Sequence, residues 1–111
     1  MRIGHLIVPA DDLDAQLGFY ERLGLSVRFR DGDRYAALTD GTTTLGLAGP
    51  GEQPVAGRTV LSLEVDDLDA VVADLADAGT ETGPVVVGPH ERRVLVHDRA
   101  GNPVTLYEKL A

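Results

Sequence analysis

Asp11-Asp12-Leu13-Asp14-Ala15 returns 55 residues later as Asp66-Asp67-Leu68-Asp69-Ala70. At the same offset Leu6 matches Leu61 and Gly24 matches Gly79. Further along, Asp40-Gly41 before Thr42-Thr43-Thr44-Leu45 echoes Ala100-Gly101 before Asn102-Pro103-Val104-Thr105-Leu106. A period of half the chain marks a duplication, since solenoids repeat in shorter and more numerous units.

Each copy of the acidic motif stands between an apolar run and a helical pattern. Residues 3–8 are short and apolar, as in a buried strand. Asp11 or Asp12 then offers an N-cap, and acids in the first turn suit the helix dipole. Leu13, Leu17, Tyr20 and Leu23 follow at helical spacing, and Gly24 supplies the stop. Strands over 25–30 and 34–39 flank a hairpin signal, Asp31-Gly32-Asp33, and 42–48 forms another strand. The second half repeats the order: a strand over 59–65, a helix over 66–78 closed by Gly79, then strands over 81–87, 92–98 and 104–109. The glycines and prolines of 49–58 read as a linker without an element of its own. The prediction is an α+β fold of two tandem βαβββ modules, 1–48 and 59–111, forming cupped mixed sheets within a single domain. A half of about 50 residues buries too little apolar surface alone, so the two must pack.

Composition narrows the function. With 43% apolar residues the 111-residue chain can build a core, and no run approaches the roughly 18 apolar residues of a membrane span. A formal charge of −8 repels phosphate backbones and anionic lipid, which argues against nucleic-acid or membrane partners. The chain has no cysteine, which removes disulfides, thiolate metal sites and thiol nucleophiles. The opening residues enter a strand, so no signal peptide is expected and a cytoplasmic location is the default. Ser62 lies mid-strand with no evident base, Ser26 opens a strand, and no glycine loop has the pattern of a phosphate cradle.

The β-α-β-β-β doubling, the opening HLIVPADDLDAQLGFYERLGL, the restart LSLEVDDLDAVVADLADAG and the close HDRAGNPVTLYE resemble the vicinal oxygen chelate superfamily. That superfamily includes glyoxalase I, extradiol dioxygenases, fosfomycin-resistance enzymes and bleomycin-resistance proteins. The resemblance implies a homodimer with a ligand-holding cup. It also implies four ligand points, early in the first strand and late in the last strand of each module. There, imidazoles and carboxylates hold a divalent metal that polarises vicinal oxygens of a substrate.

Mapped through the repeat, those points read His5, Ala48, Val60 and Glu108. Valine and alanine have no donor atom, so the set is incomplete and no metal is favoured. The expected function is therefore a metal-free binder of a small organic molecule, sequestering an antibiotic or metabolite. The alternative is a lyase, isomerase or dioxygenase using Ni, Zn, Mn or Fe, with His5 and Glu108 as ligands or catalytic groups. In that case the loop residue His90 could complete the set. Candidate ligand-binding residues are His5, Arg28, Arg30, Tyr35, Tyr107 and Glu108, with Arg28 and Arg30 sharing a strand face by the period of two. Phe19 and Tyr20 read as packing residues, and Asp98 and Asn102 as the turn that orders the last strand.

Overall fold

The computed structural model describes all 111 residues. They form β1 (Arg2–Pro9), α1 (Leu13–Arg22), β2 (Ser26–Asp31), β3 (Tyr35–Thr39), β4 (Thr44–Ala48), β5 (Val60–Glu64), α2 (Leu68–Asp77), β6 (Val86–Val87), β7 (Glu91–His97) and β8 (Pro103–Lys109). This is β-α-β-β-β twice, the α+β order that the repeat predicts. The chain divides into two compact units: 5–60, and 61–111 together with 1–4.

In the 5–60 unit the strand order is β2-β3-β4-β1, with β1 parallel to β4 and the other pairs antiparallel. The Asp12 side chain accepts from the Ala15 N–H at 3.1 Å and starts α1. Gly24, at φ 106°, ends the helical turn in a conformation that disfavours any side chain. Leu13 and Leu17 bury α1 against Ala36, Leu38 and Leu47, with Ala10 beneath. Tyr20 packs on the edge of this core, whereas Phe19 is 55% exposed and meets the Tyr20 ring in a T-shaped pair. Leu23 falls at the C-cap, beyond the helix, and is also exposed. The linker contains a short element after all, a 3-10 turn at Pro50–Glu52 opened by its proline. Gln53 ties the rest of the linker down, donating to the Ala48 carbonyl and accepting from the Gly57 N–H.

The other unit orders its strands β5-β8-β7-β6, with β5 parallel to β8. Asp67 caps α2 through the Ala70 N–H, as Asp12 caps α1. Val65, Leu68, Val94, Val96 and Leu106 form its core. Where the sequence predicts a strand over 81–87, only Val86–Val87 pair with β7. Pro84 has no N–H to give a ladder, and Gly83 makes a single bond to the Leu95 carbonyl. No helix is long and apolar enough to cross a membrane.

Candidate functional site

In each unit the strands have one face covered by the helix and one face without a helix, and strand alternation assigns side chains to them. In the 5–60 unit Val8, Ala36, Leu38, Leu45 and Leu47 pack with α1. His5, Ile7, Tyr35, Ala37, Gly46 and Ala48 therefore stand on the helix-free face. His5 pairs with Thr44 in the β1–β4 register and is partly buried. The Tyr35 ring crosses β4, and its hydroxyl lies where a Cβ on Gly46 would be.

Arg28 and Arg30 do not share a face. The β2–β3 register shifts between Val27 and Phe29, pairing Val27 with Leu38, Phe29 with Ala37 and Arg30 with Ala36. A bulge of this kind breaks the two-residue period that would group them. Arg28 reaches Thr44 Oγ1 at 3.3 Å, a residue in register with His5. Arg30 turns to the helix side, where it donates to Asp14 of α1 at 2.7 Å, to Asp33 and to the Gly32 carbonyl. The Asp14 bond, ahead of the desolvation that opposes it, raises the Arg30 pKa.

A comparable correction of register applies at the end of the chain. Counting seven residues from each turn glycine matches Ala48 with Glu108. The backbone matches Ala48 with Tyr107, since Ala10 N–H donates to the Ala48 carbonyl and Val65 N–H to the Tyr107 carbonyl, both at 2.8 Å. Ala10 and Val65 are themselves 55 residues apart. Leu106 and Val104 pack with α2, so Glu108 stands on that side and Thr105, Tyr107 and Lys109 on the other. The Glu108 carboxylate accepts from Leu68 N–H, at the start of α2, at 3.0 Å and from Arg92 at 3.1 Å. Arg92 also reaches Asp69 at 3.4 Å, and these two carboxylates raise its pKa, Asp69 foremost.

The helix-free face of the 61–111 unit carries a group that sequence reading missed. Leu63 packs with α2, which leaves Ser62 and Glu64 on the opposite face beside Thr105 and Tyr107, their register partners. Ser62, Glu64, Thr105 and Tyr107 are all buried. Tyr107 Oη donates to Glu64 Oε1 at 3.4 Å. Arg2 forms an ion pair with Glu64 Oε2, and Lys109 Nζ lies 3.5 Å from Oε1. Burial first, then the neighbouring Glu64 charge, push the Tyr107 phenol up to about 12. The Thr105 hydroxyl is buried without a hydrogen-bond partner. Alternation in Leu61-Ser62-Leu63-Glu64-Val65 places Glu64 on the face opposite the leucines, but its burial and its partners Arg2 and Lys109 arise only in the tertiary structure.

Residues 2–106 match the family model for the Glyoxalase/Bleomycin resistance protein/Dioxygenase superfamily. The chain belongs to this superfamily. An uncharacterised protein of Mycolicibacterium smegmatis is 38% identical over 109 residues, spanning 95% of this chain and 91% of that one. A superfamily member from Vibrio splendidus shares the fold with a TM-score of 0.76 at 14% identity, over 96% of this chain and 97% of the other. A catechol 2,3-dioxygenase gives a TM-score of 0.68 at 19% identity, over 97% of this chain and 41% of its own length.

The superfamily includes metal-dependent members, so the donor set decides whether such an ion fits here. No three His, Asp or Glu side chains gather into a group that could hold one. Ala48 and Val60 are fully buried hydrocarbon, packed with Ile7, Tyr35 and Val55. The Glu108 oxygens already serve Arg92 and the α2 backbone, and His90 is exposed in its loop. A three-ligand divalent site does not fit these residues. Asp98 accepts from Ala100 N–H and Asn102 N–H at 2.9 Å, and Asn102 Nδ2 donates to it, which fixes the turn into β8.

Proposed function

We propose that this protein is a metal-free small-molecule binder of the superfamily, holding an organic ligand such as an antibiotic or metabolite against the helix-free faces of its sheets. The carrying observation is the pair Ala48 and Val60, two hydrocarbon side chains with 0% exposure at two positions where the family resemblance calls for nitrogen or oxygen. His5, Arg28 and Tyr35 supply one set of ligand contacts, and Tyr107 supplies another. These side chains offer hydrogen bonds and charge for orientation within apolar surroundings, the usual make-up of a ligand site.

The test is elemental analysis of protein purified without chelator, thermal shift against Ni, Mn, Fe and Zn, and native mass spectrometry for a co-purified organic molecule. The expected result is far less than one metal per chain, no metal-specific stabilisation and retention of an organic mass. One tightly held divalent ion per chain, with turnover lost in His5→Ala, would establish the metal enzyme instead.

The working form in this proposal is a cytoplasmic homodimer. Phe29 and Val27 leave 56% and 43% of their surface exposed on the edge strand β2, and Val87 leaves 66% exposed on the edge strand β6. Apolar surface at strand edges favours association. Light scattering after gel filtration should give twice the 11.8 kDa chain mass, and a monomer at micromolar concentration would reject the dimer.

A further inference from the structure

Around Glu64 the helix-free face carries the cations Arg2, Lys109 and Arg93 and a second carboxylate, Glu91, in register with Lys109. Glu64 leaves 10% of its side chain exposed, against 62% for Arg2 and 71% for Lys109. Nearby Arg93, in register with Tyr107, has its own partner in Glu91 at 3.6 Å. The surplus positive charge therefore lies on Arg2 and Lys109. A guanidinium has five N–H donors and an ammonium three, whereas the carboxylate has two oxygens, one of which also receives Tyr107. Donors remain after Glu64 is satisfied.

We infer that Arg2 and Lys109, oriented by the buried Glu64 carboxylate, form a subsite for the anionic group, a carboxylate or phosphate, of a small organic ligand. The inference rests on the small-molecule reading above and names the class of molecule. An incoming cation would have to displace Arg2 from a largely buried carboxylate, and breaking such a pair is strongly unfavourable. An incoming anion adds bonds to donors already held in place and breaks none. The glycine at position 4 belongs to the same arrangement. A Cβ there would collide with the Tyr107 hydroxyl, so the absence of a side chain lets the phenol reach Glu64 beside Arg2. On a chain of net charge −8, a local cationic pair also gives selectivity, because an anion is repelled elsewhere on the surface.

The experiment is an NMR titration of the full chain with four probes of one shape: benzoate, phenyl phosphate, benzamide and benzamidine. The expected result is saturable binding of benzoate or phenyl phosphate, with shifts at Arg2, Lys109 and their strand neighbours. Whichever of the two binds more tightly identifies the source of the anion. Arg2→Gln and Lys109→Gln should each weaken it about tenfold, the effect of losing one charge-assisted hydrogen bond. Arg2→Gln removes one partner of Glu64 and should cost some stability, whereas Lys109→Gln leaves the Arg2–Glu64 pair intact. Amide spectra check both folds, and Lys109→Gln carries the test by itself if Arg2→Gln unfolds. Equal binding of benzoate and benzamide, or wild-type affinity in both variants, overturns the subsite. Preferential binding of benzamidine or benzamide would do the same while leaving the small-molecule reading standing. If one divalent ion per chain is held tightly yet benzoate still binds at Arg2 and Lys109, the subsite survives and the metal-free reading fails.

Discussion

At the scale of single residues, tyrosine and glycine work as pairs. The Tyr35 hydroxyl lies over Gly46, with its Cζ 3.0 Å from the position of an added Cβ, so any side chain there must push the ring away. Gly46→Ala should therefore destabilise the protein by about 1–3 kcal/mol in urea unfolding, the usual cost of overpacking. Adding Tyr35→Phe removes the closest atom and should recover part of that loss, and no recovery would show that the alanine disturbs β4 itself. Tyr107 makes a separate prediction in alkali. Its native pKa of about 12 exceeds the ordinary 10.0, so the native state holds this proton more tightly than the unfolded chain. The associated stability is complete below pH 10 and is lost as pH rises through about 12. Spectrophotometric titration of the phenolate absorbance should show one late tyrosine, absent in Tyr107→Phe. A tyrosine set titrating wholly near the ordinary value would contradict the buried placement.

At the scale of elements, the repeated Asp-Asp-Leu-Asp-Ala motif has a visible division of labour. Asp12 and Asp67 cap the helices, while Asp14 and Asp69 each receive an arginine from the sheet, Arg30 in one unit and Arg92 in the other. Glu108 adds a further hold on α2 through Leu68 N–H. Glu108→Ala should lower stability by about 1–2 kcal/mol, because a helix-end N–H and Arg92 lose a partner. Small-molecule binding should persist in that variant. A loss of ligand or metal binding with unchanged stability would return Glu108 to the site. These elements were legible in the sequence because caps, stop glycines and apolar spacing are local signals. Face assignment in the late strands was less legible. One extra residue at the β2 bulge separates Arg28 from Arg30, and a one-residue difference after the turn glycine carries Glu108 to the helix side. A slip of one position reverses every side chain in a strand. The Glu64 cluster was illegible for another reason, since Arg2, Glu64 and Lys109 are brought together only by tertiary structure.

At the scale of the whole molecule, charge acts in two opposite directions. The formal −8 makes the folded chain repel itself, and added salt screens that repulsion. Most ion pairs here are exposed, and such pairs contribute on the order of 0–1 kcal/mol each, so their screening is the smaller effect. The midpoint of thermal unfolding should therefore rise by a few degrees between about 10 mM and 300 mM sodium chloride, a range over which the screening length falls from roughly 30 Å to below 8 Å. The gain should shrink as pH approaches the sequence pI of about 4.6, where net repulsion vanishes. Below the ordinary carboxylate value of 3.8 a different loss begins. Asp40, held by the Thr43 and Thr42 N–H groups, and Asp98, held by Asn102, both have lowered pKa values. Their contribution is present above 3.8 and disappears as pH falls through the lowered values. Anion binding at Arg2 and Lys109 should respond to salt with the reverse sign, weakening as chloride competes and screening increases. One salt series, read by unfolding and by benzoate titration, thus separates the global repulsion from the local cationic pair. Parallel trends in the two measurements would mean that the subsite charge is no different from the rest of the surface.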